Sequence, residues 1–298
     1  MDKLRFVQFL HPGGEHKPDS GVIKEWNKNT HRRKFLKRLG RYVADGKVQK
    51  ADILLWGEWE PESKVERIAA PIVRGPHYIY EPYYVVPKSY KGLQNTDPFV
   101  FGEQFHYTFC YQSKPTLGHL SPGSVILFGS RNDHVFVLDT VFVVSDRWID
   151  HTKVNHRKVL AGAISQEYEE VTILPVYQEP IAESENCSQA CSPASSQQTW
   201  RLYFGASYDR PMLDMYSFFP CQPYDAESRG FARPSISLPD IIVDNLSQNV
   251  KYTMPPSPHE MKSLWDKVAK QVKDQGLALG VYAEMPQRCT SHPSICPY

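Results

Sequence analysis

The order of apolar and polar positions along the chain predicts strands more often than helices. Residues 4–10 (Leu-Arg-Phe-Val-Gln-Phe-Leu) carry apolar side chains on both faces and run into Pro12-Gly13-Gly14, the pattern of a buried strand closed by a tight turn. Residues 52–56 (Asp-Ile-Leu-Leu-Trp) predict a second buried strand. Residues 105–111, 124–130 and 135–144, separated by Ser121-Pro122-Gly123 and Asn132-Asp133, predict an antiparallel meander or small barrel. Residues 199–205 and 215–220 are further strand candidates. Tyr78, Tyr80, Tyr83 and Tyr84 are spaced by prolines, which favours extended sheet edges over central strands.

Helical spacing is confined to fewer places. Residues 158–168 predict a short helix. Met261, Leu264, Trp265, Val268 and Val272 recur at helical intervals after Ser257-Pro258, Gly276 stops that run, and residues 277–283 read as a closing strand. Between residues 31 and 41, Phe35, Leu36 and Leu39 also fit one helix face, with Thr30 as N-cap and Gly40 as terminator. The expected fold is therefore α+β, with a mixed or mainly antiparallel barrel-like sheet and a few packed helices. Residues 178–198, rich in Glu, Ser, Pro and Gln, predict a mobile loop or linker. It separates a region at 1–177 from one at 199–298, which either folds alone or returns to the same domain.

Composition sharpens this picture in one place. The chain of 298 residues has a net charge of only +1, yet residues 1–50 hold 13 Lys and Arg against 5 Asp and Glu, leaving 21 against 28 in the remainder. A local +8 beside an acidic remainder points to a phosphate-rich partner. Its densest part supplies Arg32, Arg33, Lys34, Lys37, Arg38 and Arg41 as phosphate-binding candidates. The absence of a long apolar run and of a secretory pattern predicts a cytoplasmic chain with no membrane span. The six cysteines, at 110, 187, 191, 221, 289 and 296, have no metal or disulfide spacing and are expected reduced.

Candidate chemistry gathers at the ends of the first two predicted strands. His11, Glu15 and His16 lie in one turn, and Trp56-Gly57-Glu58-Trp59-Glu60 places two carboxylates and two indoles in five residues. His11, His16, Glu58 and Glu60 are candidates for proton transfer, and His11, His16 and Glu58 for a metal. Trp56 and Trp59 could stack on a base whose amino edge a carboxylate reads. His11-Pro-Gly-Gly-Glu15 resembles the haem-ligand turn of cytochrome b5-like domains, but the flanking elements of that family are missing and no haem is expected. The phosphate-loop, dinucleotide, Gly-x-Ser-x-Gly and HExxH fingerprints are absent, and no cofactor is identified.

The Pro-Gly-Ser turn leading into residues 125–129 and the long apolar strand at 135–144 resemble the middle of PUA-like barrels of the ASCH and EVE type. That resemblance spans residues 99–146 and implies binding of RNA or of modified bases in DNA. The expected function is nucleic-acid or nucleotide binding, with a modified base read or processed. The alternative is a metal-dependent or acid–base enzyme that uses the His/Glu cluster.

Overall fold

The computed structural model describes residues 2–18, 22–28, 30–70, 77–178, 198–243, 250–255 and 257–289. Its strands are β1 (Phe6–Leu10), β2 (Ile23–Lys24), β3 (Arg33–Ala44), β4 (Lys47–Glu58), β5 (Ser63–Ala69), β6 (His77–Val85) and β7 (His106–Tyr107). They continue with β8 (Val125–Asn132), β9 (Val135–His151), β10 (Trp200–Gly205), β11 (Phe219–Pro223), β12 (Val250–Thr253), β13 (Ala278–Ala283) and β14 (Gln287–Cys289). One sheet has the order β12-β1-β8-β9-β10-β7; the other runs β13-β11-β4-β3-β6-β5-β2, with β14 on β6 and a further pairing of β13 with β3. Both are mixed: β1 pairs β8 in parallel and β12 antiparallel, while β3 pairs β6 in parallel and β4 antiparallel. The fold is α+β and rich in sheet. Strands that follow residue 198 complete both sheets.

The basic segment is a strand, which corrects the helix expected at residues 31–41. β3 and β4 form a long hairpin about Asp45-Gly46, whose φ angles of 51° and 72° are those a two-residue hairpin turn requires. Its register is unbroken from Ala44↔Lys47 to Arg33↔Glu58. Neighbouring strand residues point to opposite faces, so Phe35 packs with Trp56 and Ile79 while Leu36 packs in a separate core with Leu55 and Tyr80. Apolar side chains on both faces of a strand mimic short-range helical spacing. Gly40 is mid-strand where β13 crosses, and a Cβ there would lie 2.7 Å from the Tyr282 carbonyl oxygen. Thr30 lies in the loop before β3 and caps no helix.

Four other elements differ from expectation: the tyrosine segment expected at a sheet edge is β6, which lies between β3 and β5. The strand expected at 105–111 shortens to β7 and pairs β10 rather than β8, so the three-strand meander reduces to the β8–β9 hairpin. Residues 158–168 divide between helices His156–Leu160 and Gln166–Tyr168, and the strand expected at 215–220 is β11. The loop expected at 178–198 falls, except for its two end residues, outside the described residues.

The helix Pro258–Asp274 is as predicted. Ser257 Oγ accepts from the Glu260 N–H at 3.2 Å, and Met261, Trp265, Val268 and Val272 pack on Phe6 and Leu10 of β1 and on β8, β9 and β13. The other face of β1, Val7 and Phe9, enters the core shared by the two sheets. Among the described residues no helix is long and apolar enough to cross a membrane, and Cys110 and Cys221 are free thiols.

Candidate functional site

The His11–His16 turn runs between the sheets. His11 N–H donates to Gly129 O at 2.7 Å, continuing β1 alongside β8; further on, Arg33 N–H donates to Gly14 O at 3.0 Å and His16 N–H to Arg33 O at 2.8 Å. Gly13 is needed for the close approach of the turn to β8, and Gly14 leaves room for the Arg32 side chain. A Cβ on Gly13 would lie 2.0 Å from Ser130 Oγ, and one on Gly14 would lie 2.2 Å from Arg32 Nη1.

The turn and the hairpin end together enclose a buried charged cluster. Arg33 and Glu58 are directly opposite in the β3–β4 register, and Arg33 Nη1 lies 2.5 Å from Glu58 Oε2. Arg33 Nη2 donates to His11 Nδ1 at 2.5 Å, and Arg33 Nε is 3.8 Å from Asp139 Oδ2 on β9. Asp139 also pairs with Arg233 at 3.3 Å, whose guanidinium lies 4.8 Å from the centre of the Trp56 ring. On the other side of Glu58, His31 Nδ1 is 3.4 Å from Glu58 Oε1 and 2.9 Å from Glu60 Oε1. Asn27 Nδ2 donates to Glu60 Oε2 at 2.8 Å, and the Asp97 N–H donates to Glu58 Oε1 at 3.1 Å.

Burial and neighbouring charges set the protonation of these groups. Burial works against the charge on Glu58, but Arg33 together with the hydrogen bonds to His11 and His31 outweighs it and holds the carboxyl well below the usual range. Burial likewise opposes a charged His31, yet hydrogen bonds to Glu58 and Glu60 raise it to about 10. His11 is lowered to about 4, by burial first and then by Arg33, so it is neutral and accepts from that guanidinium. Glu60 is raised by burial, and Lys34 is lowered to about 7 by burial against the pull of Glu60 and Glu62.

These directions give a pH-dependent stability. An imidazole at 6.5 in the unfolded chain and about 10 in the folded one stabilises fully below 6.5, and that contribution is lost as pH rises through about 10. Lys34 acts with the opposite sign, so the useful readout is a difference. The stability gap between wild type and His31→Gln, measured by urea unfolding, is expected to shrink steadily from pH 6.5 to 10. A gap independent of pH would contradict the assignment.

Several candidates are placed differently from expectation. Trp56 and Trp59 are core residues, 4% and 0% exposed, which removes them as stacking platforms. Lys34 is buried and donates to Pro61 O and Ser63 Oγ. Lys37 pairs with Glu66 at 2.6 Å, Arg38 with Glu284 at 2.8 Å, and Arg41 with Glu103 and Asp209. The acidic remainder of the chain thus folds back onto the basic strand. His11 and Glu58 come together, 3.5 Å apart, but His16 lines a separate cleft. The described residues whose ligand atoms lie within 4.8 Å of one another are instead His31, Glu58 and Glu60.

That cleft, of about 470 Å³, is lined by Glu15, His16, Lys17, Lys24, Asn27, Thr30 and Arg32. Asn27 links it to the cluster through Glu60. His31, Asn27, Asp97, Asp139 and Arg233 also belong to the site, although no sequence motif marks them. Asp139, an acid inside an otherwise apolar strand, carried the one local signal. Comparison of the chain with protein-family models, with curated proteins and with solved structures returns no match.

Proposed function

We propose that this chain binds a nucleotide or nucleic acid and acts on a base of it at the His31–Glu58–Glu60 cluster. One observation carries the reading: an imidazole nitrogen is held between two buried carboxylates on the chain segment that also lines a cationic cleft. Buried groups with strongly displaced protonation beside a cleft are the usual setting of acid–base chemistry. Arg33 and His11 stand behind Glu58 as positioning groups. The PUA-like resemblance of residues 99–146, with the barrel-like closure it implies, supports a base as the recognised moiety, and a cytoplasmic location accords with that ligand.

A second reading is favoured by the same donors. His31 Nδ1 and one oxygen each of Glu58 and Glu60 are suitable ligands for a divalent cation, which would replace the proton on His31 and serve a metal-dependent enzyme. Filter binding of single-stranded DNA, duplex DNA and RNA at two salt concentrations, with metal analysis of the purified protein, tests both. Binding at low salt that weakens with salt is expected, and His31→Gln is expected to retain it while losing any bound metal. No retention of any of the three at low salt would contradict nucleic-acid binding and confine the proposal to a nucleotide.

A further inference from the structure

We infer that the cleft between the His11–His16 turn and the strand that follows it is a phosphate subsite, holding a phosphate group of the ligand in the reading above. Among the described residues, Lys17, Lys24 and Arg32 line it with a single acid, Glu15. That acid is engaged elsewhere: Glu15 Oε2 is 2.7 Å from His77 Nδ1, and Oε1 accepts from the Tyr78 N–H at 2.9 Å. Lys37, Arg38 and Arg41 of β3 pair with acids from distant parts of the chain, which leaves that strand less suited to hold a phosphate.

A second, independent feature points to a ligand. His16 is 4% exposed, lines the cleft, and its Nε2 is buried without a hydrogen-bond partner. A buried polar atom left unpaired costs free energy that a ligand oxygen or a bound water removes. Burial, then Lys34, Lys24 and Arg32, keeps this imidazole neutral, its pKa lowered to about 2, so it adds hydrogen-bonding capacity without repelling the neighbouring cations. Thr30 also lines the cleft. Arg32 lies against Gly14, where any side chain would displace the guanidinium. The glycine of the turn thus serves the cleft directly.

A phosphate here would sit beside Asn27, the residue that joins the cleft to Glu60. Charge on the ligand would then anchor it while its neutral part extends toward the carboxylates. The arrangement separates binding from chemistry along one chain segment.

Calorimetric titration at low salt with inorganic pyrophosphate, adenosine 5′-monophosphate and adenosine tests the inference. Pyrophosphate and the monophosphate are expected to bind, with adenosine at least tenfold weaker. Lys17→Glu with Arg32→Glu is expected to weaken the phosphate ligands at least tenfold. Gly14→Ala, which alters no charge, should weaken them severalfold, and Lys47→Glu with Lys50→Glu at the exposed hairpin end should change them less than twofold. Circular dichroism confirms that each variant is folded.

Absence of pyrophosphate binding, or equal weakening by the hairpin variant, would overturn the subsite. Pyrophosphate bound in the cleft while no nucleic acid is retained on filters would support the subsite and remove the nucleic-acid reading. Nucleic acid retained equally well by the Lys17→Glu, Arg32→Glu variant would remove the subsite and leave that reading standing.

Discussion

Glu58→Ala is expected to lower the unfolding free energy at neutral pH by about 3–5 kcal/mol, the usual consequence of removing one member of a buried ion pair. Glu58 is 4% exposed and Arg33 2%, and they face each other across the hairpin. Without the carboxylate, Arg33 keeps, among the described residues, Asp139 at 3.8 Å and the neutral His11 as polar partners of its side chain. His31 loses one of its two carboxylates at the same time. Urea unfolding measures the change. A loss below about 1 kcal/mol would mean that the guanidinium is readily rehydrated and that the cluster is not a closed electrostatic unit. Glu58→Gln keeps the volume and separates loss of charge from loss of packing.

Trp59→Ala is expected to cost about 3–5 kcal/mol of stability through the cavity it leaves, while ligand binding by the folded fraction stays unchanged. The ring is fully buried, 5.2 Å from Phe101 and 6.2 Å from Tyr84 between ring centres. Its Nε1 donates to the carbonyls of Glu62 at 2.9 Å and Tyr83 at 3.2 Å. Denaturant unfolding together with a binding titration distinguishes this from a stacking role. Wild-type stability with weakened nucleic-acid binding would place the indole at the surface and contradict the structure.

What the sequence disclosed follows from how local each signal was. β1 was legible because its two apolar faces and the following Pro-Gly-Gly form one contiguous pattern, and both faces are buried. The helix Pro258–Asp274 was legible from its Ser-Pro start and four inward positions. β3 was misread because Phe35, Leu36 and Leu39 fit helical spacing over so short a run, and the deciding feature lies beyond it. Asp45-Gly46, the strongest short hairpin signal in that region, pairs two twelve-residue strands and by register sets Arg33 opposite Glu58. Reading that turn first would have predicted the central ion pair.

The remainder of the site had no local signal. The partners of Lys37, Arg38 and Arg41 are 29, 246 and 62 residues away in sequence, so a charge count along the chain could not show that the strand is neutralised. His31 looked like part of a basic stripe. Its position between Glu58 and Glu60 depends on the loop that enters β3 and on Asn27, which ties that loop to Glu60. The two indoles gave the opposite error. Trp56 and Trp59 were grouped with the carboxylates by sequence proximity, although strand alternation and core packing separate them from any ligand surface.

Nitrogen-15 NMR of the His31 imidazole, titrated with a bound nucleotide and without one, is the most direct test of the claim that this cluster is a ligand site. In the free protein the ring is expected to stay protonated until about pH 10, and ligand binding should shift both its resonances and that midpoint. Resonances and a midpoint that do not move at saturating nucleotide would contradict the claim.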